Sequence, residues 1–107
     1  MSGAIARRWQ AQIMRADLDD WLDVFRGRVL PGMRAIEGWL GILVHYSQDG
    51  DPCQLTVTTQ WKDITALRKF SGDNMIQAVV PDFMEHFFVE YDPVATLHSE
   101  FYEQAAL

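Results

Sequence analysis

Residues 55–70, LTVTTQWKDITALRKF, decide the fold. Up to Trp61 the residues alternate. Leu55, Val57, Thr59 and Trp61 share one face of a strand, and Thr56, Thr58 and Gln60 share the other. From Asp63 the spacing turns helical. Asp63 is placed to cap the helix, Ile64, Ala66, Leu67 and Phe70 give it one apolar side, and Gly72 stops it. A strand that gives way to a helix within two residues reads as the start of the second half of a split βαβ unit.

The first half lies upstream. Residues 4–14 alternate in part, with Ile5, Arg7, Trp9, Ala11 and Ile13 against Ala4, Ala6, Arg8, Gln10 and Gln12. Asp17 is the expected N-cap of a first helix carrying Leu18, Trp21, Leu22, Phe25 and Val29 at helical spacing, and Pro31-Gly32 is expected to interrupt it. The run WLGILVHY, Trp39 to Tyr46, is a strand in which Trp39, Gly41, Leu43 and His45 share a face. The segment Gln48 to Pro52 reads as a hairpin turn leading to an antiparallel strand from Gln54 to Trp61.

Downstream, Met75 to Val80 is expected to form a short helix ended by Pro81, with Asp82 to His86 as a connection. A last strand runs from Phe87, broken or bulged at Pro93, to Tyr102, and residues 104–107 are expected to fray. The order is β-α-β-β-α-β. This is a single α+β domain over residues 1–107, ferredoxin-like, with a four-stranded antiparallel sheet and both helices on one face. The other sheet face is expected to carry Trp and Leu side chains, which a face-to-face dimer would bury.

Bulk properties bound the function. With 107 residues, 9 Lys and Arg and 15 Asp and Glu, the chain has a net charge of −6. That balance argues against nucleic acid, and the arginines, Arg7 and Arg8 among them, read as solvated surface charge. The single cysteine, Cys53, forms no internal disulfide and reads as an ordinary small residue in a reducing compartment. No apolar run reaches the length of a membrane span or a signal peptide, so a soluble cytoplasmic protein is expected. The three histidines, at 45, 86 and 98, have no metal-ligand spacing, and no glycine-rich phosphate loop follows a strand.

Three segments together resemble the antibiotic biosynthesis monooxygenase-like family of dimeric α+β barrels. They are AIARRWQAQI with the helix ending LPGMRAIEGWLG, TTQWKDITALRKFSGD, and AVVPDF with FFVEYDPVATLHSEFYE. The resemblance implies a homodimer. It also implies a cofactor-independent oxygenase that holds a phenolic or anthrone-like substrate between sheet and helices. Trp61 matches the family's strand-end Trp and His98 its last-strand His. The haem-degrading branch uses a first-strand Asn and a helix His. Here the first strand offers Gln10 and Gln12, and the second helix has no His, leaving His86 in the connection after it.

The candidate catalytic residues are therefore His98, as a general base, and Trp61, as a pocket wall. Tyr46, His45, Arg8 and Gln60 are candidates to orient or polarise a substrate. Each also has a plain structural reading: Trp61 as core packing, His98 and His45 as strand or interface histidines, Tyr46 and Gln60 at sheet edges. The leading functional expectation is a cofactor-independent monooxygenase acting on an aromatic or polycyclic molecule. The alternatives are a non-enzymatic dimeric ligand-binding or structural module and, behind both, a haem-degrading enzyme.

Overall fold

The computed structural model describes residues 4–105. The elements are β1 (Ala4–Ile13), α1 (Leu18–Val24), α2 (Leu30–Arg34), β2 (Trp39–Tyr46), β3 (Cys53–Trp61), α3 (Ile64–Ser71), α4 (Asp82–Glu85), β4 (Phe88–Tyr91) and β5 (Thr96–Glu100). The sheet order is β2-β3-β1-β4, and β5 also pairs with β1. All pairings are antiparallel. β4 takes the far end of β1, at Ala11 to Ile13, and β5 the near end, at Ala4 to Arg8. They are one edge strand broken around Pro93, so the architecture is the expected ferredoxin-like α+β sheet with a divided last strand.

The 55–70 junction folds as its pattern requires. β3 alternates between buried and half-exposed residues from Leu55 to Trp61. The Asp63 side chain accepts a 2.9 Å hydrogen bond from the Ala66 N–H, satisfying one of the free donors of the first turn of α3. Gly72, at φ +79, ends that helix in a conformation that glycine adopts without strain. Leu55, Trp61 and Leu67 are fully buried, each contributing about 1.5–3 kcal/mol of burial.

The first helix departs from expectation at both ends. Asp17 occupies the N-cap position of α1, but its side chain makes no capping bond, because a 3-10 turn over Arg15–Asp17 already leads into the helix. Pro31 does not break the helix. A π-helical segment, Phe25–Val29, precedes it, and the Leu30 N–H reaches five residues back to the Phe25 carbonyl. Pro31 thus falls in the first turn of α2, where a missing N–H costs nothing.

β2 has the expected bounds but different faces. A bulge between Trp39 and Gly41 shifts the register, so Trp39 stands opposite Trp61 while Ile42 and Val44 stand opposite Thr59 and Val57. Trp39 therefore joins Ile42 and Val44 on the helix side rather than sharing a face with Leu43 and His45. As a result, the open sheet face lacks the expected tryptophans among the described residues. It presents Arg8, Gln10, Thr56, Thr58, Gln60 and His98, with Leu43 as an exposed apolar side chain among them.

The segment before Pro81 is not a helix. Residues 78–80 have no regular structure, and Gln77 forms a β-bridge with Val94. Its carbonyls are taken from outside: Ile76 O by the Ala95 N–H, and Met75 O and Gln77 O by Arg7. The β-branched pair Val79-Val80 before Pro81 also disfavours helix. The short helix comes after Pro81 instead, as α4, where a connection was expected. Residues 101–105 follow β5 without regular structure, and residues 106 and 107 of the expected frayed tail lie outside the described residues.

Candidate functional site

A cavity of about 70 Å³ lies between the helix side of the sheet and the helices. β1 supplies Arg7 and Trp9, β3 supplies Val57 and Thr59, and β4 supplies Phe88. Trp21 comes from α1, and Phe25 and Val29 from the π-helical segment. Phe70 of α3 and the stretch Val79, Val80 and Pro81 close the other side. The walls are apolar and largely aromatic. Trp21 and Phe25 stack at 5.1 Å, and Trp9 meets Phe88 edge to face at 5.4 Å. A π-helical segment in such a wall is a common feature of functional sites, since it turns side chains out of the regular helical stripe.

Arg7 is the exception in this lining. It is only 5% exposed. Its Nε donates to Met75 O at 3.0 Å and its Nη2 to Gln77 O at 2.6 Å, and its Cζ lies 5.6 Å from the Phe70 ring centroid. No Asp or Glu among the described residues lines the cavity. Burial alone lowers the guanidinium's pKa from its ordinary value, with no carboxylate acting the other way. A buried cation whose partners are two neutral carbonyls and a ring face remains undercompensated. One further polar side chain, Thr59, borders the space. Thr59 Oγ1 accepts from Trp61 Nε1 at 2.9 Å, leaving its own proton free to donate. The Trp21 indole N–H is buried with no hydrogen-bond partner among the described residues.

Trp61 itself does not line the cavity. It is 0% exposed, stacks on Phe70 at 5.2 Å and bonds Thr59, so it holds two residues that do. His98 stands on the opposite side of the sheet. It pairs with Ala6, is exposed, and its Nε2 lies 2.8 Å from Thr96 Oγ1. The chain therefore does not bring Trp61 and His98 together.

The remaining candidates spread over the sheet. Arg8, opposite Thr58, is exposed on the open face, as is His45, opposite Thr56. Gln60 is on that face as well and donates from Nε2 to Glu100 Oε2 at 2.5 Å. Tyr46 pairs with Leu55 at the end of β2 and is half exposed.

Arg7 reads as surface charge in the sequence and is instead the buried charge of the cavity. A signal for it exists. It alternates with Ile5, Trp9, Ala11 and Ile13 on a face that is otherwise apolar, and a cation there is informative. Trp21, Phe25, Phe70 and Phe88 carry no signal beyond helical or strand patterning.

Haem does not fit these residues, because neither His nor Cys lines the cavity and His86 is exposed beside Phe87. No group of three or more His, Cys, Asp or Glu among the described residues is placed to hold a metal ion. Cys53 is fully buried, with Sγ 3.5 Å from Ile13 O. No helix among the described residues is long and apolar enough to cross a membrane.

No family model and no curated protein matches the chain. Solved structures do. A conserved protein from Methanosarcina mazei Go1 superposes with a TM-score of 0.68 at 14% identity, covering 94% of this chain and 95% of that one. A Bacillus cereus protein named “putative antibiotic biosynthesis monooxygenase” gives 0.66 at 11% identity, covering 98% of each chain. A monooxygenase of Streptomyces coelicolor, solved with the ligand nanaomycin D, gives 0.63 at 18% identity, covering 99% of this chain and 94% of that one. Over nearly its whole length, then, the chain has the fold of proteins named as putative antibiotic biosynthesis monooxygenases, in agreement with the resemblance carried by its sequence.

Proposed function

We propose that this chain is a small monooxygenase that holds an aromatic or polycyclic molecule in the cavity between sheet and helices and works without a metal or organic cofactor. The observation that carries the reading is the aromatic cavity containing a buried, undercompensated cation at Arg7. Flat rings suit walls of Trp9, Trp21, Phe25 and Phe70, and the guanidinium suits an oxygen on the ligand. The likeness to a monooxygenase solved with nanaomycin D adds support.

The chemistry is a substrate-driven oxidation. An activated ring CH₂ gives up two hydrogens, takes one atom of O₂ as a carbonyl, and the second oxygen atom leaves as water. The substrate supplies all the electrons. The protein's part is to orient the ring, exclude water and stabilise negative charge on the ring oxygen. Trp61 is a positioning residue here, acting through Phe70 and Thr59.

The space is about half the ~150 Å³ that houses a benzene ring in an engineered core. A fused ring system thus requires residues 79–81 to move outward. Val79 is already 40% exposed at the rim.

The same reading makes the protein a cytoplasmic homodimer whose open sheet faces pack together, with His98, His45, Arg8 and Gln60 at the intersubunit layer. Because that face is polar, the interface would rest on hydrogen bonds and trapped water more than on apolar burial. A second reading, a dimeric ligand-binding module with no catalysis, is favoured by one observation: no His, Asp, Glu, Lys, Cys or Tyr among the described residues lines the cavity.

Oxygen-electrode assays with a panel of anthrones and hydroxynaphthoquinones separate the two. Substrate-dependent oxygen uptake that is lost in Phe25→Ala supports the enzyme. Tight binding of such ligands with no uptake supports the module.

A further inference from the structure

We propose that the cavity takes its ligand as an anion, an aromatic molecule whose ring oxygen is already ionised when it enters, and discriminates against the neutral form. The inference rests on the cavity being the ligand site and narrows the class of molecule it accepts.

A neutral phenol that has to ionise inside the cavity needs a group to receive its proton. The described lining contains none, since Arg7 is its one titratable side chain and is held protonated at any ordinary pH. His98 and His45 lie on the far side of the sheet and reach no ligand in this space.

The polar groups that border the space point the same way. Arg7 uses Nε and Nη2 on the carbonyls of Met75 and Gln77, which leaves the Nη1 donors without a partner among the described residues. Thr59 keeps its hydroxyl proton. Donors and one undercompensated positive charge thus meet walls that are otherwise apolar. A neutral quinone carbonyl would accept hydrogen bonds but leave the charge unmatched. An enolate or phenolate oxygen matches both.

Desolvation costs the anion more than the neutral form, and the charge of Arg7, already buried, has to outweigh that cost. In the apolar cavity the attraction between guanidinium and anion is far stronger than in water, while a neutral oxygen gains little from the same surroundings. The pH dependence of binding should then follow the ionisation of the ligand, with no titrating group of the protein involved. A more acidic hydroxyl makes a better ligand at fixed ring size.

The test compares a hydroxynaphthoquinone bearing an acidic hydroxyl with its methyl ether, which has nearly the same shape and no ionisable proton. Binding to the intact protein is read by quenching of tryptophan fluorescence and by calorimetry. The hydroxyl compound is expected to bind about 10–100-fold tighter than the ether once ionised, as for a charge-assisted hydrogen bond. Its affinity should fall to that of the ether as the pH drops below the ligand's own pKa. In Arg7→Gln the two compounds should bind alike. If that variant fails to fold, the wild-type pH titration decides alone. Equal binding of both compounds, or affinity that stays flat through the ligand's ionisation, overturns the proposal while the cavity remains a ligand site. If neither compound binds, the cavity reading falls and takes the proposal with it.

Discussion

Trp61 and Phe70 stack with ring centroids 5.2 Å apart and planes 26° from parallel, so the residue that ends β3 fixes a wall of the cavity without entering it. Its indole N–H is spent on Thr59. Trp61→Ala should lower stability by about 3–5 kcal/mol in urea unfolding, the usual cost of emptying a buried aromatic site. Trp61→Phe should retain most of the stability yet weaken ligand binding, because Thr59 loses the donor that orients it. Equal losses of stability and binding in both variants would remove the positioning role.

Arg7 ties the stretch before Pro81 to the sheet through the carbonyls of Met75 and Gln77. In Arg7→Met, amide exchange over residues 75–80 should accelerate while the central amides of β3 keep their protection. Mass spectrometry of exchanged peptides reads this directly. Uniform acceleration across the sheet would mean that Arg7 supports the whole core rather than this segment.

Two glycines should respond in opposite directions. Gly38 has φ +95, and a Cβ there would lie 2.7 Å from the Ala66 Cβ, so helix α3 packs directly against it. Gly38→Ala should cost about 1–3 kcal/mol from overpacking together with backbone strain. Gly32 sits in α2, where an added methyl group would meet nothing within 4 Å. Gly32→Ala should gain up to about 1 kcal/mol from helix propensity. Thermal unfolding of the pair checks both signs.

The proposed dimer has its own test. Leu43 is 48% exposed on the open sheet face, so a charge there harms little in an isolated chain. Leu43→Asp should leave the circular dichroism unchanged but shift sedimentation from dimer to monomer at micromolar concentration. A wild-type chain that already sediments as a monomer would end the face-to-face arrangement.

The fold was legible because its signals are local. Alternation in 55–61 and the Asp63 cap define the junction, and Asp-Gly before Pro52 marks the turn between β2 and β3. Sequence and structure part where tertiary contacts outrank local pattern. The bulge after Trp39 swaps the face of that residue; Gly41 in WLGILVHY is the one local sign of a bulge, and it does not say which side chains change face. The carbonyls of residues 75–77 are claimed by Arg7 and Ala95, which takes the segment out of a helix. Pro31 is accommodated by a π-helical turn several residues earlier.

The candidate site was harder to read than the fold. The sequence resemblance points to Trp61 and His98, but the parity of two strands decides whether they can meet. Trp61 pairs with Ile5, and His98 pairs with the adjacent Ala6, so the two side chains leave the sheet in opposite directions. That relationship depends on two registers at once and cannot be obtained from either strand alone. Arg7 was visible as a cation on an apolar face, but its lack of a carboxylate partner emerges only in three dimensions.

Ligand binding beside Arg7, on the helix side of the sheet, underlies both the proposed activity and the preference for an anion. A crystal structure of the protein soaked with a hydroxynaphthoquinone puts it to the sharpest test. The ring is expected between Phe70 and Trp21, its ionised oxygen within hydrogen-bonding distance of Arg7, and residues 79–81 displaced outward. Ligand density on the open face beside His98, with the aromatic cavity unchanged, would contradict it.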